Sequence, residues 1–461
     1  MKRPNILLIS TDSLRFDFLG CAGGPARTPH IDALAAEGLR FETCITNSPV
    51  CAPTRCALAT GIEPHRLGGQ DNDVQLQPNT RTYYGQMRDH GYHVACVGKL
   101  DLGKPSGLPG PDGAAPRAYS WGFTQPHETE GDASLGKYPD PTGPYSHFLA
   151  ERGKFEILHE DIKRRNASGV VLDVSDFPLE TEDFIDSYIG SGALDWLRNA
   201  PRHNPWHLFV SFVGPHFPYS PPAEYADRWR DAPMPGRIVA MEGKPRRVRD
   251  RFDDHDPDYV LNARRQYCGR LELIDDQIGK LVAQLKANGD WDNTWIFFTS
   301  DHGDSLGDHG LMTAGNPYEP SVNVPLIATG PGCRDGRVTP ALVEWFDLGP
   351  TCCELAGVPA IPGIQARSFA PVLRGETDDG RPDCFSHYRG FQVLRTRTHK
   401  YIHNEDDSPE LYDISEDPGE TRNLLHGDDV SEETRELAAR MRSRLGDRWV
   451  GNFAWPATED R

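Results

Sequence analysis

Two carboxylates, a lysine and two histidines lie far apart in the 461-residue chain, each just beyond a short apolar run: Asp12, Asp301, Lys99, His216 and His302. Asp12, Asp301 and His302 form a hard, oxygen-dominated donor set, which suits Ca2+, Mg2+ or Mn2+. Each residue also has an ordinary explanation. An Asp at a strand end can cap a helix, a histidine can be a satisfied loop residue, and Lys99 alone would be a solvated amine. A second focus is the stretch NSPVCAPTRCALATG, residues 47–61, which places Cys51 and Cys56 around Pro53 and Arg55. By themselves these cysteines are compatible with a metal site, a disulfide, a reactive thiol or ordinary buried residues. After His302 come Asp304, Asp308 and His309, which read as loop-packing or solvated groups rather than further ligands.

What could bring these residues together is a sheet. Residues 5–10 (NILLIS) are apolar on both faces, as a central parallel strand covered by helices requires. Similar runs recur at 93–97, 206–213, 294–299 and 324–328, with helical patterns between them. In the longest, Tyr267, Leu271, Ile274, Ile278, Leu281 and Leu285 alternate steps of four and three, and Asn288-Gly289 stops the helix. The expected fold is α/β, a mostly parallel central sheet sandwiched by helices. Ligands of such sheets gather beyond the carboxyl ends of the strands. Four of the predicted strands end at Asp12, Lys99, His216 and Asp301-His302. One such coincidence is chance; four describe a site. Residues 104–180, rich in Pro, Gly and polar residues, read as a loop-rich excursion at the pocket rim. The expected catalytic domain spans 1–374. Residues 375–461 form a small C-terminal α+β subdomain, with short antiparallel strands at 391–395 and 401–404 and a helix at about 432–445.

Composition narrows the class. Hydrophobic residues make up 37% and charged residues 25%, with 45 Gly and 39 Pro, as befits a globular enzyme whose site is built on loops. The net charge of −19 argues against a broad surface for nucleic acid or long polyanions, so an anionic substrate must meet a local cationic pocket. No run approaches the roughly 18 apolar residues of a membrane span. The opening MKRPNILLIS runs into Thr-Asp with no cleavage site, which reads as a strand and not a leader, and a cytoplasmic protein is expected. The ten cysteines are scattered without CxxC pairs, against a disulfide framework or a zinc site. In a chain that stays inside, the sequon Asn166-Ala167-Ser168 carries no weight.

In order along the chain, PNILLISTDSLRFDFLG, CAPTRCALATG, VGKLDLGK, GPHFPYSPP, FFTSDHGDSLGDHGL and ELYDISEDPGETRNL resemble the motifs of type I sulfatases, within the alkaline-phosphatase-like superfamily, from Pro4 to about Leu425. The most specific element is Cys51-x-Pro53-x-Arg55, followed by Thr60-Gly61. The resemblance implies that a maturation enzyme oxidises Cys51 to Cα-formylglycine. One hydroxyl of the hydrated aldehyde would attack sulfur, and loss of the proton from the second would expel sulfate. It implies one divalent cation, Ca2+ first with Mg2+ or Mn2+ as alternatives, held by Asp12, Ser13, Cys51, Asp301 and His302. Arg55 would hold the diol, Lys99 would neutralise sulfate oxygens, and His216 would contact the sulfate or protonate the leaving oxygen. Cys56 becomes a small buried residue of the following helix. The implied substrate is a small or saccharide sulfate ester, with neither nucleic acid nor membrane as a partner.

Four positions depart from the family pattern. Ser13 stands where Asp, Asn or Gln is usual, and Gly98-Lys99-Leu100-Asp101 lacks the histidine of Gly-Lys-x-His. Ala314 replaces a lysine, and Ala59 a leucine. Two cations that face the sulfate are therefore missing, and Lys104 and Arg66 are the candidate replacements. A phosphonate monoester or phosphodiester hydrolase on the same scaffold is one alternative, since a singly charged diester needs fewer cations. An inactive sulfatase-like binding protein is the other.

Overall fold

The computed structural model describes residues 2–69, 71–104, 109–131, 134, 138–167, 173–253 and 255–449. Ten strands precede the C-terminal sheet: β1 (Asn5–Asp12), β2 (Leu39–Phe41), β3 (Cys44–Ile45), β4 (His93–Gly98), β5 (Gln125–Glu128), β6 (Trp206–Pro215), β7 (Thr294–Ser300), β8 (Leu326–Thr329), β9 (Arg337–Thr339) and β10 (Val343–Glu344). Eight of them form one sheet in the order β5-β4-β6-β1-β7-β8-β2-β9, and β3 pairs with β10 apart from it. Strands β5, β4, β6, β1 and β7 are mutually parallel.

The continuous apolar run of β1 has the cause inferred from sequence. Leu7 and Ile9 enter one core, with Ile274, Ile278 and Leu281 of the helix Pro257–Asn288. Ile6 and Leu8 enter the core on the other face, with Ala52, Cys56 and Leu58 of the helix Cys51–Thr60. Period-2 alternation thus buries both faces. The long helix keeps its six patterned residues, Tyr267 to Leu285, at 0% exposure, and Gly289 at φ +72° ends it.

One expectation needs correction. The run at 324–328 does not extend the parallel set: β8 lies antiparallel to both β7 and β2. The chain between β7 and β8 holds only short helical turns and no crossover helix, so it returns directly alongside the strand it left.

Residues 104–180 include β5 and the helices Pro116–Ser120, Pro144–Glu151 and Phe155–Ala167. Farther on, β11 (Cys384–Tyr388), β12 (Phe391–Arg395), β13 (His399–Asn404) and β14 (Glu410–Asp413) form an antiparallel sheet. The helix Glu432–Arg448 packs on it through Ala438, Met441 and Leu445. Among the described residues no helix is long and apolar enough to cross a membrane. All ten cysteines are free.

Candidate active site

Register places the site. Thr11 of β1 lies opposite Ser300 of β7, so Asp12 and Asp301 leave adjacent strand ends side by side. Ser10 of β1 and Gly98 of β4 both lie opposite Ser211 of β6, which brings Lys99 to the same edge. Gly98 is required there: at φ +109°, a Cβ would stand 2.0 Å from the Ser211 carbonyl oxygen. Over these strand ends sits the first turn of Cys51–Thr60, a wholly buried helix that begins at Cys51 and is closed by Gly61 at φ +72°. Cys51 and Arg55 are four residues apart and share one helix face.

Arg55 ties the parts together. Its Nε donates to Asp301 Oδ2 at 2.8 Å, and its Nη1 to the Lys99 carbonyl and to Ser211 Oγ, both at 2.8 Å. Its Nη2 lies 3.5 Å from Asp12 Oδ2 and is buried without a hydrogen-bond partner. Lys99 Nζ donates to Asp12 Oδ2. His302 Nδ1 is 2.9 Å from the Gly303 carbonyl and so carries its proton there. Nε2 then faces Cys51 Sγ at 3.2 Å and Asp12 Oδ1 at 3.6 Å.

The electrostatics favour an anion at position 51. Burial and Asp12 push the Cys51 thiol up, but Lys99, His302 and a hydrogen bond to His216 outweigh them and lower it to about 6. The helix N-terminus acts in the same sense. Burial alone would raise the Asp12 carboxyl; Lys99, His216, Arg55 and His302 instead hold it well below the usual range. His302 is opposed by burial yet raised to about 10 by Asp301, Cys51 and Asp12. His216 is raised too: burial opposes its charge, and Asp12 and Cys51 favour it.

Donor atoms of Asp12, Cys51, Asp301 and His302 all lie within 4.8 Å of one another, and all four residues are buried. Two carboxylates, an imidazole and the position-51 side chain suit a hard divalent cation. Ser13, at φ +65°, lies beside this cluster. Its N–H donates to Asp301 Oδ1, and its hydroxyl lies 3.3 Å from Asp12 Oδ1 and 3.4 Å from His302 Nδ1, on the far side of that ring from Nε2.

The residues read from sequence divide cleanly. Asp12, Ser13, Cys51, Arg55, Lys99, His216, Asp301 and His302 converge. Lys104 joins them through Asp101, 3.1 Å away. Arg66 joins a different ion-pair cluster, 3.7 Å from Glu63, which also pairs with Arg448. Asp304, Asp308 and His309 are buried rather than solvated: Asp304 accepts from Tyr219, and Asp308 pairs with Arg15 and Arg264. Cys56 is fully buried. Two supporting residues escaped sequence reasoning. Ser211 anchors Arg55, and the Tyr267 hydroxyl donates to the Ser13 carbonyl while accepting from Arg15 N–H. A hydroxyl on an apolar helix face leaves no periodic signal.

The family model for sulfatases matches residues 4–358. The chain belongs to the sulfatase family. A second model, the C-terminal region of N-sulphoglucosamine sulphohydrolase, matches residues 307–447. This sulfatase is 31% identical to the uncharacterized sulfatase YidJ of Escherichia coli, over 97% of the chain and 86% of that protein. It is 28% identical to the choline-sulfatase of Rhizobium meliloti, over 92% of the chain and 82% of that protein. Its fold is shared with a phosphonate monoester hydrolase of Agrobacterium radiobacter, at TM-score 0.78 and 24% identity, covering 97% of this chain and 95% of that one. It is shared as well with a protein solved with its substrate D-glucosamine-2-N,6-O-disulfate, at TM-score 0.76 and 21% identity, covering 97% and 99%. The activity class is that of the family, sulfuric ester hydrolysis. The family uses a metal ion and formylglycine, and in this chain the buried Asp12–Cys51–Asp301–His302 cluster is a group of side chains that could hold a metal ion.

Proposed function

We propose that this sulfatase hydrolyses a small or saccharide sulfate ester with formylglycine at position 51 and a divalent cation, Ca2+ before Mg2+ or Mn2+, held by Asp12, Asp301 and His302. The observation that carries the reading is the convergence of Lys99, Arg55, His216 and His302 on Cys51 at a buried helix N-terminus. When bound, the cation and the hydrated aldehyde together supply an acidified hydroxyl as nucleophile. The chain's own residues do the rest. Arg55, fixed by Asp301, Ser211 and the Lys99 carbonyl, keeps Nη2 3.5 Å from Asp12 Oδ2 without a hydrogen bond and offsets negative charge at position 51. Lys99 neutralises oxygens of the transferred group, and Lys104 is the second cation on that side. His216 donates its Nδ1 proton to the Phe217 carbonyl at 2.6 Å, which leaves Nε2 to hold a proton toward Cys51 or the leaving oxygen. Residues 375–461 serve as the C-terminal subdomain, a boundary supported by the sheet that starts at Cys384.

The test couples modification to turnover. Co-produced with a formylglycine-generating enzyme, the peptide containing Cys51 should be about 18 Da lighter than its thiol form, as conversion of thiol to aldehyde requires. Release of sulfate from an aryl sulfate should scale with that fraction and vanish in Cys51→Ala. Turnover by a preparation holding only thiol sinks the mechanism. A faster reaction with an aryl phosphonate monoester than with the sulfate would move the chain to the alternative reading.

A further inference from the structure

Beyond β4 the chain turns at Asp101, whose φ of +56° lies in the left-handed region that residues other than glycine rarely enter. Such a conformation persists where surrounding contacts hold it. Here those contacts are two ammonium groups on a single oxygen: Asp101 Oδ2 lies 3.2 Å from Lys99 Nζ and 3.1 Å from Lys104 Nζ. The Asp101 side chain is 13% exposed and that of Lys104 is 41% exposed, so the carboxylate is largely enclosed and the second lysine is not.

Two ammonium groups that close repel each other, and the exposed one would turn to water unless a carboxylate lay between them. Burial opposes the charges of both Lys99 and Lys104; Asp101 raises both, and Cys51 also contributes to both, which puts Lys104 within electrostatic reach of the nucleophile. Burial would raise Asp101 itself, but Lys104, Lys99 and Arg55 lower it, so it stays ionised at any working pH. Lys99, Asp101 and Lys104 together carry one net positive charge, and Lys99 is shared further with Asp12, so among the described residues Lys104 is the cation of the group whose only ion pair is with Asp101.

We propose that Asp101 is a positioning residue that binds Lys99 and Lys104 into one two-pronged clamp for the anionic group being transferred. The proposal rests on reading the pocket as a sulfate ester site. In it, Lys104 acts only while Asp101 holds it, and Asp101 itself touches no substrate.

Inorganic sulfate, the product, is titrated calorimetrically into metal-loaded, full-length protein carrying D101N, K104M, both or neither. Each single variant should weaken sulfate binding by about tenfold or more, the scale of one hydrogen bond to a charged group. The double variant should bind no more weakly than the worse single one, because the two residues act as a unit. Additive losses, or unchanged affinity in either single variant, overturn the proposal. Should D101N fail to fold, Lys104 decides. K104R, whose charge still reaches a carboxylate, should keep affinity within about threefold while K104M loses it; equal affinity of K104M and the native protein overturns the proposal. Turnover of an aryl sulfate by the native protein is scored separately. Its absence would remove the sulfatase reading without altering the coupling that the titration measures.

Discussion

At Lys99 one ammonium group contacts both Asp12 and Asp101, inside a pocket where burial opposes its charge and the carboxylates sustain it. A cation held in this way needs no reorganisation when negative charge builds on a transferred group, which is the condition for strong transition-state stabilisation. Lys99→Ala should therefore lower kcat/KM for an aryl sulfate by about 3 kcal/mol, roughly a hundredfold or more. An unchanged rate would mean that the transferred group binds elsewhere. At this scale much of the site was legible: Asp12, Cys51, Arg55, Lys99, His216, Asp301 and His302 all meet in space. What was not legible has a common cause. Arg66 lies 3.7 Å from Glu63, and charge alone does not say which carboxylate an arginine will stand beside. The Ser13 hydroxyl stands 3.3 Å from Asp12 Oδ1 and 3.4 Å from His302 Nδ1, on a left-handed backbone that its place in the sequence does not announce.

The elements that aim these side chains are stiff where they must be. Lys99 follows directly on Gly98, whose missing side chain lets β4 lie against Ser211 of β6, the residue that also anchors Arg55. Gly98→Ala would force a Cβ to 2.0 Å from the Ser211 carbonyl oxygen at a φ of +109°, so both the strand and the Arg55 anchor must shift. Stability should fall by about 2 kcal/mol or more in denaturant melts, beyond the cost of left-handed backbone alone, and activity should fall further because Lys99 moves with it. Gly289→Ala is the comparison. Its φ is +72° with nothing within 4 Å, so it should cost about 1 kcal/mol and leave turnover intact. Equal effects at the two positions would show that the close approach at Gly98 does not matter. The strands themselves were readable because burial on both faces leaves continuous apolar runs. The direction of β8 was not, because an antiparallel return and a parallel crossover bury the same residues, and only the connecting chain distinguishes them.

Over the whole molecule the balance of charge is −19, while Arg55, Lys99 and Lys104, each paired with a carboxylate, gather within electrostatic reach of Cys51. A small sulfated substrate presents its charge to the pocket alone. A long sulfated polymer would also lay anionic groups across the acidic surface outside it, and that repulsion acts before any contact specific to the reacting sulfate is made. Sulfated mono- or disaccharides, or small alkyl or aryl sulfates, should accordingly exceed an intact sulfated polymer in kcat/KM by a wide margin at low ionic strength. The origin of the margin can be separated from simple steric exclusion. At 0.1 M salt the Debye length is about 10 Å, shorter than the reach of a polymer beyond the pocket mouth, so added salt should raise the polymer's rate relative to its unit saccharide. A margin unmoved by salt would assign the discrimination to the shape of the pocket. A polymer preferred at low salt would show that a local basic track, and not the net charge, governs how substrate approaches Cys51.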